Sequence, residues 1–221
     1  MIENRKLTNT KIGIYLLLFF AVWSVRELAI QPVYLSRLSV VASEIIGEII
    51  KLLVWTLPAI LLIKHYKNDM SIGLKEMFTT KPKWFKDAPI LLLVFIPILQ
   101  ALVTHGTIAI DPNFNPTRLV GTVIFVGITE ALVFRGFLLN TFLKRLEMKR
   151  AIALNEVLFV LIHYPIWIYQ GLELSVFPIS SLSVFIFGVL FSYSFIKTRN
   201  IFVPITLHMI TNLLIMLLHH T

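Results

Sequence analysis

Apolar positions dominate this chain in runs of about twenty residues, and short segments rich in lysine and arginine separate them. A helix that crosses a bilayer needs about 20 mostly apolar residues. Seven runs meet that length: about Ile12 to Ile30, Leu38 to Ile63, Ala88 to Ile110, Arg118 to Leu143, Ala151 to Tyr169, Ser175 to Ile196 and Ile201 to Leu218. The pattern predicts an all-α polytopic membrane helical bundle of about seven transmembrane helices. It forms a single integral membrane domain over residues 1–221. No repeat, low-complexity stretch or second domain interrupts it.

Composition supports that reading. Of the 221 residues 57% are hydrophobic and 14% charged, whereas a soluble domain carries about 25% charged residues. The net charge of +8 therefore reports topology and contact with anionic lipid, not nucleic-acid binding. The polar, basic start resembles a signal peptide, but no A-x-A-like site follows it, so a retained first helix is expected. The absence of cysteine excludes disulfides, thiol nucleophiles and thiolate metal ligands.

The basic residues also set an orientation. Counted by the seven spans, 15 of the 20 lysines and arginines fall on the side of the N-terminal tail, and Arg26, Arg37 and Arg118 on the other. The positive-inside rule then predicts a multi-pass cell-membrane protein with a cytoplasmic N-terminus and an outside C-terminus.

Against this apolar background, four polar residues stand out inside the late spans: Glu130, His163, His208 and Asn212. Glu130 is 14 residues from Lys144, and His163 is 13 from Arg150. His208 and Asn212 are 9 and 13 residues from Arg199. At about 1.5 Å per residue, all four lie roughly 14–21 Å from the basic side. His208 and Asn212 are i,i+4 and share a helix face. One such residue alone reads as a hydrogen bond between helices. One carboxylate, two imidazoles and one amide at matched depth read as a catalytic or ion-handling site. Glu44, Glu48 and Lys51, on one face of the second span, read as a structural or interfacial group. Gln100 and His105 read as structural, and His219 and His220 as interfacial.

The segments that hold these residues, "EALVFRG", "FVLIH" and "HMITN", resemble the motifs of the CPBP family of intramembrane proteases, which includes the CAAX prenyl endopeptidases and the Abi-type proteins. Those motifs read EExxxR, FxxxH and HxxxN or HxxxD. Glu130 and Arg135 match the first, Phe159 and His163 the second, His208 and Asn212 the third. The resemblance covers a motif-bearing core at about residues 118–218. It implies an intramembrane endopeptidase that hydrolyses a peptide bond with a glutamate-activated water, acting on a peptide or membrane-protein substrate within the lipid bilayer. On that reading Glu130 is the general base, His163 shares its water, and His208 and Asn212 donate to the oxyanion. Ala131 stands where the family has a second glutamate, which is thought to support the arginine. A non-catalytic membrane protein of the same fold, with a peptide-binding, immunity or scaffold role, is the alternative. A proton-coupled transporter is a third class, and the lack of an internal repeat weighs against it.

No cofactor is expected. Zinc held by His163, His208 and Glu130 is the alternative, but it would leave no obvious base and only an amide as a further ligand. The loss of the second glutamate leaves Arg135 in need of a partner. Arg135 is 9 residues from Lys144 and Glu156 is 6 from Arg150, depths of roughly 13 and 9 Å. The two spans are joined by a short loop, so antiparallel neighbours are expected. That makes Glu156 the expected partner, with Phe159 beside it as structural support.

Overall fold

A computed structural model describes residues 6–83, 95–106, 108–112 and 114–218, without the side chains of Gln100, Thr104 and His105. Residues 88–94 of the third expected span, the Gln100 and His105 side chains, and His219 and His220 lie outside what is described.

The described chain is all helix and connection. Five helices are long and apolar enough to cross a membrane: α1 (Asn9–Arg37), α2 (Val40–His65), α5 (Pro116–Phe142), α6 (Met148–Tyr169) and α7 (Phe177–Thr198). Two more are short, α3 (Leu74–Thr79) and α4 (Phe95–His105). The last, α8 (Phe202–Leu218), is apolar but has only 17 residues. The protein is thus a multi-pass membrane protein with five candidate spans and a shorter apolar helix. The expected third and seventh spans appear among the described residues only as α4 and α8, below the length of a full span.

Apolar side chains point outwards as well as inwards. Leu17, Leu53, Leu61 and Val103 are each more than half exposed, as in a bundle whose surroundings are hydrocarbon. Of the spans, α5 is the central one. Its most apolar window is 72% buried, against 22–39% for the others, and it packs on α2, α6, α7 and α8. It packs tightly on α8, where a Cβ on Gly127 would stand 2.7 Å from Cγ of Met209. The inner core is aromatic: Phe19, Trp23, Trp55, Phe134, Phe137 and Phe159 are all buried in one cluster.

The helices α1, α2 and α5 are not uniform. Widened turns with i→i+5 spacing occur at Arg26–Ile30, Leu52–Thr56, Leu119–Phe125 and Ala131–Leu139. Such turns often mark functional positions. One begins directly after Lys51 and another directly after Glu130.

The segment at residues 66–83 is tied to the end of α5 and to the turn before α8. Asn140, at the end of α5, holds it with both halves of its amide. Oδ1 accepts from the Ile72 N–H at 2.7 Å, and Nδ2 donates to the Ile72 carbonyl at 2.7 Å. Further along, the Ile201 N–H donates to the Met77 carbonyl at 2.8 Å, and Arg199 pairs with Glu76.

Candidate active site

The site forms where α5 meets α2, α6 and α8. Glu130 is buried, with 5% of its surface exposed. Its two oxygens have different surroundings. Oε1 faces the Lys51 ammonium at 3.5 Å. Oε2 faces His208 Nε2 at 3.8 Å, beyond hydrogen-bond length, and has no hydrogen-bond partner.

His208 is fixed by packing. Its ring stacks on Phe191 with centroids 4.8 Å apart and planes at 24°, and it meets Phe159 edge-on at 6.2 Å. Its Nδ1 is buried without a partner.

His163 owes its position to the proline two residues on. Pro165 has no N–H and its ring crowds the carbonyl four residues back. The helix accordingly breaks between Leu161 and Tyr164. The His163 N–H then donates to Val160 at i−3, which frees the Phe159 carbonyl. That carbonyl takes a hydrogen bond from the imidazole Nδ1 at 2.7 Å. A carbonyl only accepts, so Nδ1 carries the proton, and Nε2 of the neutral ring keeps its lone pair. His163 also interacts electrostatically with Glu130.

The fourth expected site residue is turned elsewhere. Asn212 Nδ2 donates to the Thr122 carbonyl at 3.0 Å, two helical turns along α5 from Glu130. The structure therefore brings Glu130 and His208 together with Lys51, sets His163 within electrostatic reach, and uses the Asn212 amide to tie α8 to α5.

Beneath the site lies a second charged pair. Arg135 Nη2 donates to Glu156 Oε2 at 3.1 Å, and both side chains have no exposed surface. Arg135 Nη2 also donates to the Gly188 carbonyl at 3.2 Å. Glu156 Oε1 accepts from Asn155 Nδ2 at 2.7 Å and from the Ser192 hydroxyl. The guanidinium lies over the rings of Phe159, at 4.4 Å, and Phe191, at 5.4 Å. These are the same two rings that touch His208, so the pair underlies the histidine. In an α-helix residues 130 and 135 would point about 140° apart. The i→i+5 turns after Glu130 bring them closer to one face.

Lys51 was not legible in the sequence as part of this site. Its nearest acidic neighbours along the chain are Glu44 and Glu48, and its partner Glu130 is 79 residues away. The signal present was a lysine in mid-span, for which some buried anion was required.

The donor set does not suit zinc. A catalytic zinc takes three protein ligands, and among the described residues no three His, Cys, Asp or Glu side chains are grouped closely enough to hold an ion. An ammonium also stands beside Glu130.

A groove of about 340 Å³ runs between α2 and α5, lined among others by Glu44, Glu48, Leu52, Gly121 and Phe125.

With Glu130, His163 and His208 located, comparison with known families is decisive for one stretch of the chain. Residues 112–214 match the type II CAAX prenyl endopeptidase Rce1-like family. This stretch is Rce1-like. It runs from just before α5 nearly to the end of α8, and it contains all three motifs. The helices α1 to α4, Lys51 included, lie outside the match. No curated protein and no solved structure matches the chain. The match covers 103 of the 221 residues, and the family it resembles is one of CAAX prenyl endopeptidases.

Proposed function

We propose that the protein is an intramembrane endopeptidase in which Glu130 is the general base. The observation that carries this is the pairing of Glu130 Oε2 with His208 Nε2 across 3.8 Å, inside the Rce1-like stretch. A water can bridge polar atoms at that separation. Its proton passes to Oε2, while the lone pair on His163 Nε2 accepts its second hydrogen and orients it. The water oxygen bonds to the scissile carbonyl carbon and the carbonyl electron pair moves to oxygen. His208, protonated on Nε2, donates to that oxyanion. Where water is scarce such a donor is worth more than in bulk solvent. When the intermediate collapses, the C–N bond breaks and the proton on Glu130 passes to the leaving nitrogen. Asn212 acts through position, holding α8 against α5 at Thr122.

The chain crosses the membrane seven times on this reading, with its N-terminus cytoplasmic and its C-terminus outside. The lysine-rich segment 64–83 then caps the cytoplasmic end. The substrate is a peptide or membrane protein that presents its scissile bond within the bilayer.

Ala131 favours a second reading, a non-catalytic member of the family, because the family's second glutamate is missing. Its weight is reduced by Glu156, which gives Arg135 a carboxylate from the neighbouring helix. The two readings separate on comparing membrane-peptide profiles of cells that carry wild type or Glu130→Gln. A peptide product lost in the variant supports proteolysis, and identical profiles support the non-catalytic role.

A further inference from the structure

Lys51 belongs to none of the motifs and lies outside the Rce1-like stretch, yet its ammonium is the nearest charge to Glu130. It is 8% exposed and held on three sides. Nζ is 5.6 Å from the Trp23 ring centroid, 5.1 Å from that of Trp55, and 3.5 Å from Glu130 Oε1. The Trp55 indole is itself only 1% exposed. An ammonium placed over two ring faces is attracted to both, so the tryptophans fix the cation and the cation fixes one carboxylate oxygen.

We propose that Lys51 is a positioning residue of the site: it engages Glu130 Oε1 and so leaves Oε2, the oxygen facing His208, as the one free to take a proton. This deepens the endopeptidase reading and rests on it for its catalytic meaning.

Charge accounting supports the assignment. The charged or titratable groups that face Glu130 are Lys51 and Glu48 from α2, Arg135 from its own helix, His163 from α6 and His208 from α8. Arg135 is engaged by Glu156, and His163 donates a hydrogen bond from Nδ1 to the Phe159 carbonyl. Lys51 is then the cation left to balance Glu130. A nearby opposite charge favours the ionised form of a carboxylate, and an ionised carboxylate is what a general base must be.

The test needs no known substrate. The full-length protein in lipid bilayers is titrated while the infrared carbonyl band of protonated carboxylic acid is followed. The contribution of Glu130 is identified by its loss in Glu130→Gln. In Lys51→Met the Glu130 band should appear at a pH at least one unit higher than in wild type, a tenfold change in proton affinity. Lys51→Arg should restore the wild-type midpoint. A purely structural lysine would not move that midpoint, and equal midpoints in wild type and Lys51→Met overturn the proposal. Should Lys51→Met not accumulate, Lys51→Met/Glu130→Gln should, because neither charge is then left alone. Failure of both to the same degree also overturns it. Unchanged peptide profiles in Glu130→Gln cells would defeat the endopeptidase reading and leave the Lys51–Glu130 assignment standing on the infrared result.

Discussion

Two buried ion pairs sit within one helix of each other and are built differently. In Arg135–Glu156 both side chains have no exposure, the contact is 3.1 Å, and both carboxylate oxygens have hydrogen-bond donors. In Lys51–Glu130 the side chains keep 10% and 7% exposure, the contact is 3.5 Å, and Oε2 is left without a donor. A carboxylate whose lone pairs are all engaged has nothing to offer a substrate. A carboxylate with one oxygen pinned and the other free can take a proton. On the proposed function, a carboxylate paired with a cation is structural in one place and reactive in the other because of the number of donors around it.

The largest expected effect comes from breaking the closed pair on one side only. Removing one partner of a buried ion pair strands the other charge and costs about 3–5 kcal/mol. Glu156→Ala should therefore lower stability by about that much in wild type, and by much less in Arg135→Met, as measured by chemical unfolding in detergent or bilayers. Additive losses would mean that the two residues are not coupled.

Next in size is Gly188→Ala. A Cβ at that position would overlap the Glu156 carboxylate, and the Gly188 carbonyl accepts from Arg135. Overpacking of this kind costs about 1–3 kcal/mol. The unfolding midpoint should fall, and the loss should shrink in Glu156→Ala, where the obstacle is gone.

Opening the other pair should cost less. Glu130→Gln keeps the shape of the side chain, and Lys51 retains two aromatic faces and some exposure. Its unfolding midpoint should drop by less than that of Glu156→Gln on the same preparation. A larger drop would reverse the comparison.

The smallest effect belongs to an ion pair outside the spans. A hydrogen bond from Arg199 holds the Glu76 carboxyl below the usual carboxylate range, and Glu76 in turn raises the Arg199 guanidinium. A lowered carboxyl stabilises the fold at pH values above its unfolded range, and the benefit disappears as pH falls through the folded value. Both side chains are 40% or more exposed, so solvent screening limits the contribution to at most ~1 kcal/mol. Glu76→Gln should lower stability near neutrality by at most ~1 kcal/mol and leave it unchanged at pH values below the folded titration, so that the acid-side dependence disappears.

The sequence made visible what depends on periodicity and depth. Runs of apolar residues marked five helices with ends close to those observed, except that α1 continues past the expected Ile30 to Arg37, because burial of twenty-odd residues in hydrocarbon leaves little freedom. Residue counts from the basic ends put Arg135 and Glu156 at similar depth, and the two meet because a short loop makes α5 and α6 neighbours. The same counts placed Asn212 level with Glu130. They did not reveal the α8–α5 register, in which Asn212 meets Thr122, nor the widened turns that change which residues share a face. Lys51 was hidden for a related reason. Its partner lies on a helix far along the chain, and nothing local distinguishes a lysine that reaches across the bundle from one that pairs with Glu48. For α8 the expected bounds, Ile201 to Leu218, nearly match the observed Phe202–Leu218, and the helix is short of a full span because its apolar run is itself only that long.

The contrast between the two carboxylates is tested most directly by measuring cleavage and unfolding together on purified wild type, Glu130→Gln and Glu156→Gln in bilayers. The substrate is the membrane peptide that wild-type cells lose and Glu130→Gln cells retain. Glu130→Gln should abolish cleavage while the protein stays folded at the assay temperature, and Glu156→Gln should lose cleavage only as it loses the fold. Cleavage that survives in folded Glu130→Gln would contradict the assignment of Glu130 as the base.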